Sequence, residues 1–236
     1  MGKCMTRLSV VVVHGSFSDI YQQEFQGLLA QVKAQINHPV LGAYLECSDV
    51  SLAGAIAQFL QSQSCPPDQV QILPLFLLPG VHVREDIPEA IAQLRAQFPQ
   101  VTFNLLDYLG KDGRLAPFLA PQFSPNSAAQ RILIAHGSRR TGANPEIEKL
   151  AQALDAHTAY WATEPSLVQT LERCQRESIN TFSCVPYFLF SGKIPGAIAQ
   201  QITTLTEADP HLSIHLGQPF GTNPQCVQAI AQILNT

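Results

Sequence analysis

The stretch Val11-Val12-Val13-His14-Gly15-Ser16 recurs further along the chain as Leu133-Ile134-Ala135-His136-Gly137-Ser138. A second block, Leu73-Pro74-Leu75-Phe76-Leu77-Leu78-Pro79-Gly80, returns as Val185-Pro186-Tyr187-Phe188-Leu189-Phe190-Ser191-Gly192. Two blocks repeated in the same order imply an internal duplication, and a duplication decides for two tandem lobes in a chain of 236 residues. The run before His14 is apolar without alternation, which marks a strand buried on both faces and hence a parallel sheet.

Working outward, apolar strand-sized runs alternate with longer stretches of helical spacing. Strands are expected at 8–13, 40–45, 70–78 and 101–106, with helices at 21–36, 51–61 and 88–98. Pro88 is tolerated in a first helical turn. The second copy repeats the order, with strands at 131–135, 158–162, 180–190 and 212–216 and helices at 145–156, 166–177, 194–206 and 224–234. The expected class is α/β: two duplicated lobes, each a small parallel sheet with helices on both faces, and a cleft between them. The lobes are placed at 1–120 and 129–236, with the Pro/Ser/Asn-rich segment 121–128 as linker.

Composition narrows the function classes. The formal charge is −4 and no Lys/Arg cluster is present, which argues against nucleic acid or an anionic membrane surface as partner. The apolar runs are too short to span a bilayer, and the reading is a cytoplasmic protein. The fused lobes suggest a monomer. The six cysteines are scattered without a CxxC pair, so a disulfide framework is not expected. Cys65, between Ser64 and Pro66, is the one expected to oxidise most readily.

Chemistry concentrates at the carboxyl ends of the strands, where open α/β sheets bind ligands. His14 follows a buried strand directly, and His82 follows a second apolar strand and a glycine. Two imidazoles on one edge suit a borderline divalent cation. Glu46, at the end of the second strand, is open to two readings, a third ligand or proton acceptor and an ordinary solvated acid. Glu85 and Asp86 are near enough in sequence to accept the other ring N–H of His82, and they equally suit the start of a helix. In the second copy Trp161 is taken to stand where the first has Glu46, and Lys193-Ile194-Pro195 where it has Val81-His82-Val83. The first copy thus offers His, Glu and His, the second only His136. Arg139 and Arg140 could grip carboxylates bidentately or form a solvated basic turn. No G-x-S-x-G, Walker or GxGxxG motif is present.

The His-Gly-Ser strand end, Leu45-Glu46, and the run from Pro74 to Pro88 (PLFLLPGVHVREDIP) resemble the sirohydrochlorin chelatases, the class II chelatases, in their long two-lobed form. The resemblance covers almost the whole chain, and the 74–88 block is its specific part. It implies a lyase inserting cobalt or iron, or nickel in some members, into sirohydrochlorin for cobalamin or siroheme synthesis. The metal is then a substrate, with no tightly bound cofactor. It further implies that His14 and His82 handle the metal as ligands or as proton acceptors, with Glu46 as their acidic partner. Ser16, Arg84, Arg139 and Arg140 become candidates for binding the substrate's carboxylates. A carrier of metal or tetrapyrrole on the same scaffold is the alternative. A histidine phosphatase fits poorly, because no Arg precedes His14-Gly15.

Overall fold

The computed structural model describes residues 7–138 and 144–236. Two four-stranded sheets are present, both parallel throughout. β1 (Arg7–Val13), β2 (Val40–Tyr44), β3 (Gln69–Pro74) and β4 (Thr102–Leu105) lie in the order β2-β1-β3-β4. β5 (Gln130–Ala135), β6 (His157–Tyr160), β7 (Thr181–Pro186) and β8 (Ser213–Leu216) lie in the order β6-β5-β7-β8. The sheets have one topology, as a duplication requires.

In the first sheet α1 (Asp19–Gln35), α2 (Leu52–Ser62) and α3 (Ile87–Gln97) connect the strands. Alternate residues of β1 serve two cores. Leu8, Val10 and Val12 join Ile56 and Leu60 of α2 and Ile87, Ile91 and Leu94 of α3. Phe25, Leu28, Leu29 and Val32 of α1 are buried as well, and the Phe25 ring meets Tyr44 edge-on at 5.3 Å. The one buried polar residue within β1, Ser9, is satisfied by His38 Nε2 at 2.7 Å. α2 starts on the Ser51 hydroxyl, which accepts the Gly54 N–H at 3.1 Å.

The second sheet is built alike, with α5 (Pro145–Ala153), α6 (Leu167–Gln175) and α7 (Lys193–Ala208). Ile132, Ile134 and Phe182 pack with Leu167, Leu171, Ile198 and Ile202. α6 opens on a full capping box between Ser166 and Gln169. A short α4 (Ala116–Leu119) precedes β5, and α8 (Pro224–Leu234) closes the chain.

Two expectations change in detail. β3 and β7 end at their prolines, Pro74 and Pro186, instead of running on through the apolar residues that follow. One further ladder bond forms in each, from Leu75 N–H to Val12 O and from Tyr187 N–H to Ile134 O, both 2.7 Å. Beyond it only isolated bonds continue, such as those from Gly110 N–H to Phe76 O and from Phe220 N–H to Phe188 O, and the regular ladder ends. No disulfide was expected, yet Cys65, the cysteine expected to oxidise most readily, is disulfide-bonded, while Cys47, Cys174, Cys184 and Cys226 are free.

Packing divides the chain at other points than the sequence copies do. One unit comprises Met1–Lys111 with Val227–Thr236, the other Asp112–Cys226. Each unit thus holds the closing segment of the other copy. In the first, Arg7 Nη1 donates to Leu234 O at 3.5 Å. In the second, Phe123 is buried under the Arg131 guanidinium, and Ser124 N–H donates to Ser183 Oγ at 2.8 Å. The stretch 121–128 therefore begins as packed structure. No helix among the described residues is long and apolar enough to cross a membrane.

Two outcomes are expected. Gly15 has φ +102°, and a Cβ there would collide with the Glu46 carbonyl oxygen. Gly15→Ala should therefore lower stability by about 2–5 kcal/mol in urea unfolding, combining left-handed strain with overpacking. A loss within experimental error would refute that geometry. Burial, with the Arg7 guanidinium nearby, pushes His38 below its ordinary 6.5. The unfolded chain then binds the proton better, so stability rises with pH through this range and falls as pH drops below about 6.5. His38→Gln should show a shallower acid-side fall in Tm between about pH 7.5 and 5 than the parent protein; an equally steep fall would exclude His38 as a source.

Candidate metal centre

β1 and β3 are neighbours, yet the chain leaves β1 for β2 on one side and reaches β3 on the other. Such a reversal of connectivity opens a crevice at the carboxyl edge. Backbone pairing runs one step past the strands here: Leu45 N–H donates to Val13 O at 3.0 Å, and Glu46 N–H to His14 O at 2.8 Å. Gly15 then passes against the Glu46 carbonyl, where only a glycine fits. Cys47 turns the chain away with φ +56°, in the left-handed region. Tyr21 of α1 hydrogen-bonds the Gly15 backbone, and burial pushes its phenol up to about 12, so it stays neutral.

His82 arrives from the other side. It opens a π-helical turn, His82–Asp86, closed by the Ile87 N–H donating to the His82 carbonyl, and α3 continues from it. The Asp86 carboxylate lies 2.6 Å from His82 Nδ1, so it takes the N–H when the proton is on that nitrogen. His14 Nδ1 likewise lies 3.1 Å from the Gly15 carbonyl, which can only accept. Both contacts select the tautomer that presents Nε2 as a lone pair.

Both Nε2 atoms face one carboxylate. His14 Nε2 is 3.7 Å from Glu46 Oε2, and His82 Nε2 is 3.8 Å from Glu46 Oε1. The imidazoles meet edge to face at 4.7 Å with an 82° interplanar angle, and the Phe76 ring lies 6.1 Å from His82. These separations are too long for direct hydrogen bonds. They suit one ion between the three groups, whose donor atoms all lie within 4.8 Å of one another. Two bonds of about 2.1 Å to one ion put their donors roughly 3–4 Å apart, so binding would draw the set slightly inward. The side chains of His14, Glu46 and His82 are 46%, 53% and 27% exposed, leaving room for further ligands. Among the described residues this is the one His/Cys/Asp/Glu trio so placed.

The other sequence candidates fall out differently. Ser16 accepts the Ser18 N–H with its hydroxyl at 3.1 Å, a local turn at the start of α1. Arg84 is exposed within the π turn. Arg139 and Arg140 lie outside the described residues. In the second unit His136 repeats the local geometry of His14, with Nδ1 2.9 Å from the Gly137 carbonyl. There the N–H that donates to the His136 carbonyl belongs to Ala162, at 2.9 Å, while Trp161 donates to Ala135 O. The residue matching Glu46 is therefore Ala162, one step beyond the expected Trp161. Sequence reasoning also passed over Phe17, Ile20 and Val81, which are 82%, 59% and 42% exposed and stand close in sequence to the two histidines. A large apolar residue in a polar loop is the signal that would have marked them.

Comparison with known proteins places this architecture. The sequence profile of the CbiX family matches residues 8–124 and again 130–236. A sirohydrochlorin ferrochelatase of Bacillus subtilis is 23% identical over 238 residues, covering 95% of this chain and 89% of its own. A sirohydrochlorin cobaltochelatase of Priestia megaterium is 23% identical over 172 residues, covering 66% of this chain and 56% of its own. The solved structure of SirB from Bacillus subtilis with Fe3+ shares the fold with a TM-score of 0.82 at 22% identity, over 98% of this chain and 95% of that one. With the family profile matched once in each half, the duplication read from the first strand is the family's own, and the chain belongs to the CbiX family.

Proposed function

We propose that this protein is a sirohydrochlorin chelatase, a lyase that inserts a divalent iron or cobalt ion into sirohydrochlorin. The observation that carries the reading is the convergence of His14, Glu46 and His82 on one space at the sheet edge. Its support from relatives is that both a ferrochelatase and a cobaltochelatase of sirohydrochlorin are similar to this chain. All three side chains come from one chain, so no second copy is needed to complete the trio.

The reaction follows from the donors. His14 and His82 offer Nε2, and Glu46 offers one or both oxygens. The ion would be held by these three with its remaining positions open to water or to the ring. On insertion the two pyrrole N–H bonds break, the ring nitrogens take the metal, and two protons leave. A neutral imidazole whose Nε2 is released by the metal is a suitable acceptor for one of them. The exposed Phe17, Ile20 and Val81 would lie against the apolar macrocycle. Ser16, Arg84, Arg139 and Arg140 would meet its carboxylates, the arginines as bidentate partners.

An anaerobic absorbance assay of sirohydrochlorin with Fe²⁺, Co²⁺ and Ni²⁺ in parallel tests the reading. Repeated turnover with iron or cobalt is expected; a single stoichiometric transfer would identify a carrier instead, and no spectral change with any metal would sink both. His82→Ala should lower kcat/KM by about a hundredfold or more, equivalent to roughly 2.7 kcal/mol of transition-state stabilisation. Full activity in that variant would remove the site. Arg139→Ala/Arg140→Ala should raise KM for sirohydrochlorin by about tenfold with the metal's KM unchanged, the loss expected for a charge-assisted contact. An unchanged KM would exclude both arginines from the substrate.

A further inference from the structure

From the ends of β3 and β7 onward the two halves differ in length by one residue, and that difference falls at the π turn. The stretches after β3 and β7 can be registered by backbone bonds alone. Leu75 N–H to Val12 O matches Tyr187 N–H to Ile134 O, and Arg84 N–H to Gly80 O matches Gly196 N–H to Gly192 O. Gly80 thus corresponds to Gly192. The helices that follow are registered by their core faces: Ile87, Ile91 and Leu94 are buried in one, Ile198 and Ile202 at the same spacing in the other. From Gly80 to Ile87 is seven steps, and from Gly192 to Ile198 is six.

Everything downstream keeps the difference. Gln69 pairs with Thr102 across β3 and β4, and Thr181 with Ser213 across β7 and β8, a separation shorter by one. Gly110 is crowded by the carbonyl of Leu77, and Gly221 by the carbonyl of Leu189, again closer by one. The extra residue is therefore confined to the stretch between Gly80 and Ile87. In the second unit α7 begins at Lys193 without a π turn. In the first, the bond from Ile87 N–H to the His82 carbonyl spans five residues, which is how a helix absorbs an insertion without losing its seat on the core.

The consequence falls on the site. Counted from the loop, His82 matches Ile194, which packs against the second unit's core. Counted from the helix, Asp86 matches Ala197, and His82 matches Lys193. The insertion sets a histidine and an aspartate four residues apart on a widened turn, both at the surface and 2.6 Å from each other.

We infer that this one-residue π turn is the device that made one half a metal site, and that Asp86 is its positioning residue, holding His82 with Nε2 turned toward Glu46. The inference rests on His82 being a metal ligand, as in the function proposed above, but not on turnover. Its test is the binding of Co²⁺ alone, read by cobalt visible absorption and calorimetry without sirohydrochlorin. Asp86→Ala should weaken Co²⁺ binding by about ten- to a hundredfold, the usual cost of losing a ligand's hydrogen-bond partner. Asp86→Asn keeps an oxygen to accept the ring N–H and should recover most of that loss. Deletion of Glu85 should leave a regular helix start, an undiminished Tm and at least about tenfold weaker Co²⁺ binding.

Co²⁺ affinity within about twofold of the parent in both Asp86→Ala and the deletion variant would overturn the inference, as would an Asn variant no better than Ala. If the deletion variant fails to fold, the Asp86 pair decides. Cobalt binding by the parent without metallation of the ring would count against the chelatase reading and leave this inference standing.

Discussion

The candidate metal centre depends on a short piece of backbone pairing that outlasts its sheet. Glu46 N–H donating to His14 O at 2.8 Å, and Leu75 N–H donating to Val12 O at 2.7 Å, keep β2 and β3 tied to β1 beyond their last regular residues. Neighbouring strands in a sheet stand about 4.8 Å apart. Side chains that leave adjacent strand ends from a locked backbone inherit that spacing, which one ion with bonds near 2.1 Å can bridge after a small inward movement. Gly15 is part of the same constraint, because any side chain there would push the Glu46 carbonyl away and open the spacing.

The second unit shows what this constraint does and does not determine. It has the same pairing, with Ala162 N–H on the His136 carbonyl, and the same contact from the histidine's Nδ1 to the next carbonyl. Geometry alone therefore does not make a site. Where the first unit presents a carboxylate, the second has the methyl group of Ala162. Where the first presents His82 on a widened turn, the second has a regular helix start with Ile194 packed inward. At this edge, two side chains and the one-residue difference at the π turn separate the halves, while the cores under the two sheets are alike in kind.

Much of this was legible in the residues themselves. Continuous apolar runs at Val10–Val13 and Ile132–Ala135 mark doubly covered strands, and helices such as α2 and α8 announce themselves by their spacing. His14 and Glu46 could be picked out because each sits where a strand runs out, and His82 because it follows an apolar run and a glycine. The misreadings have a common cause. A single sequence carries the apolar pattern but not the backbone bonds, so β3 and β7 were overextended through residues that lie beyond the regular ladder. The same gap shifted the partner of Glu46 by one, since Trp161 and Ala162 differ only in which carbonyl their N–H meets. The π turn was hidden for a further reason: an inserted residue leaves the core face in phase and shows only when both copies are laid on their hydrogen bonds. The exchange of closing segments, with Phe123 and Ser124 packed in the second unit, likewise has no signature in a stretch rich in linker residues.

The donor set also fits the task of giving a metal up. Two neutral imidazoles and a single carboxylate leave a divalent ion with net positive charge, and all three donors are open to solvent on one side. A fourth protein ligand would close the coordination shell and hold the ion as structural sites do. A second carboxylate in the shell would cancel the charge that attracts a polyanionic macrocycle. Asp86 contacts His82 through Nδ1, on the far side of the ring from the Nε2 that faces Glu46, and so would steady a ligand without adding to the shell. Binding tight enough to collect a scarce ion and loose enough to release it to four ring nitrogens is a matter of ligand count, and the proposed set would stop at three.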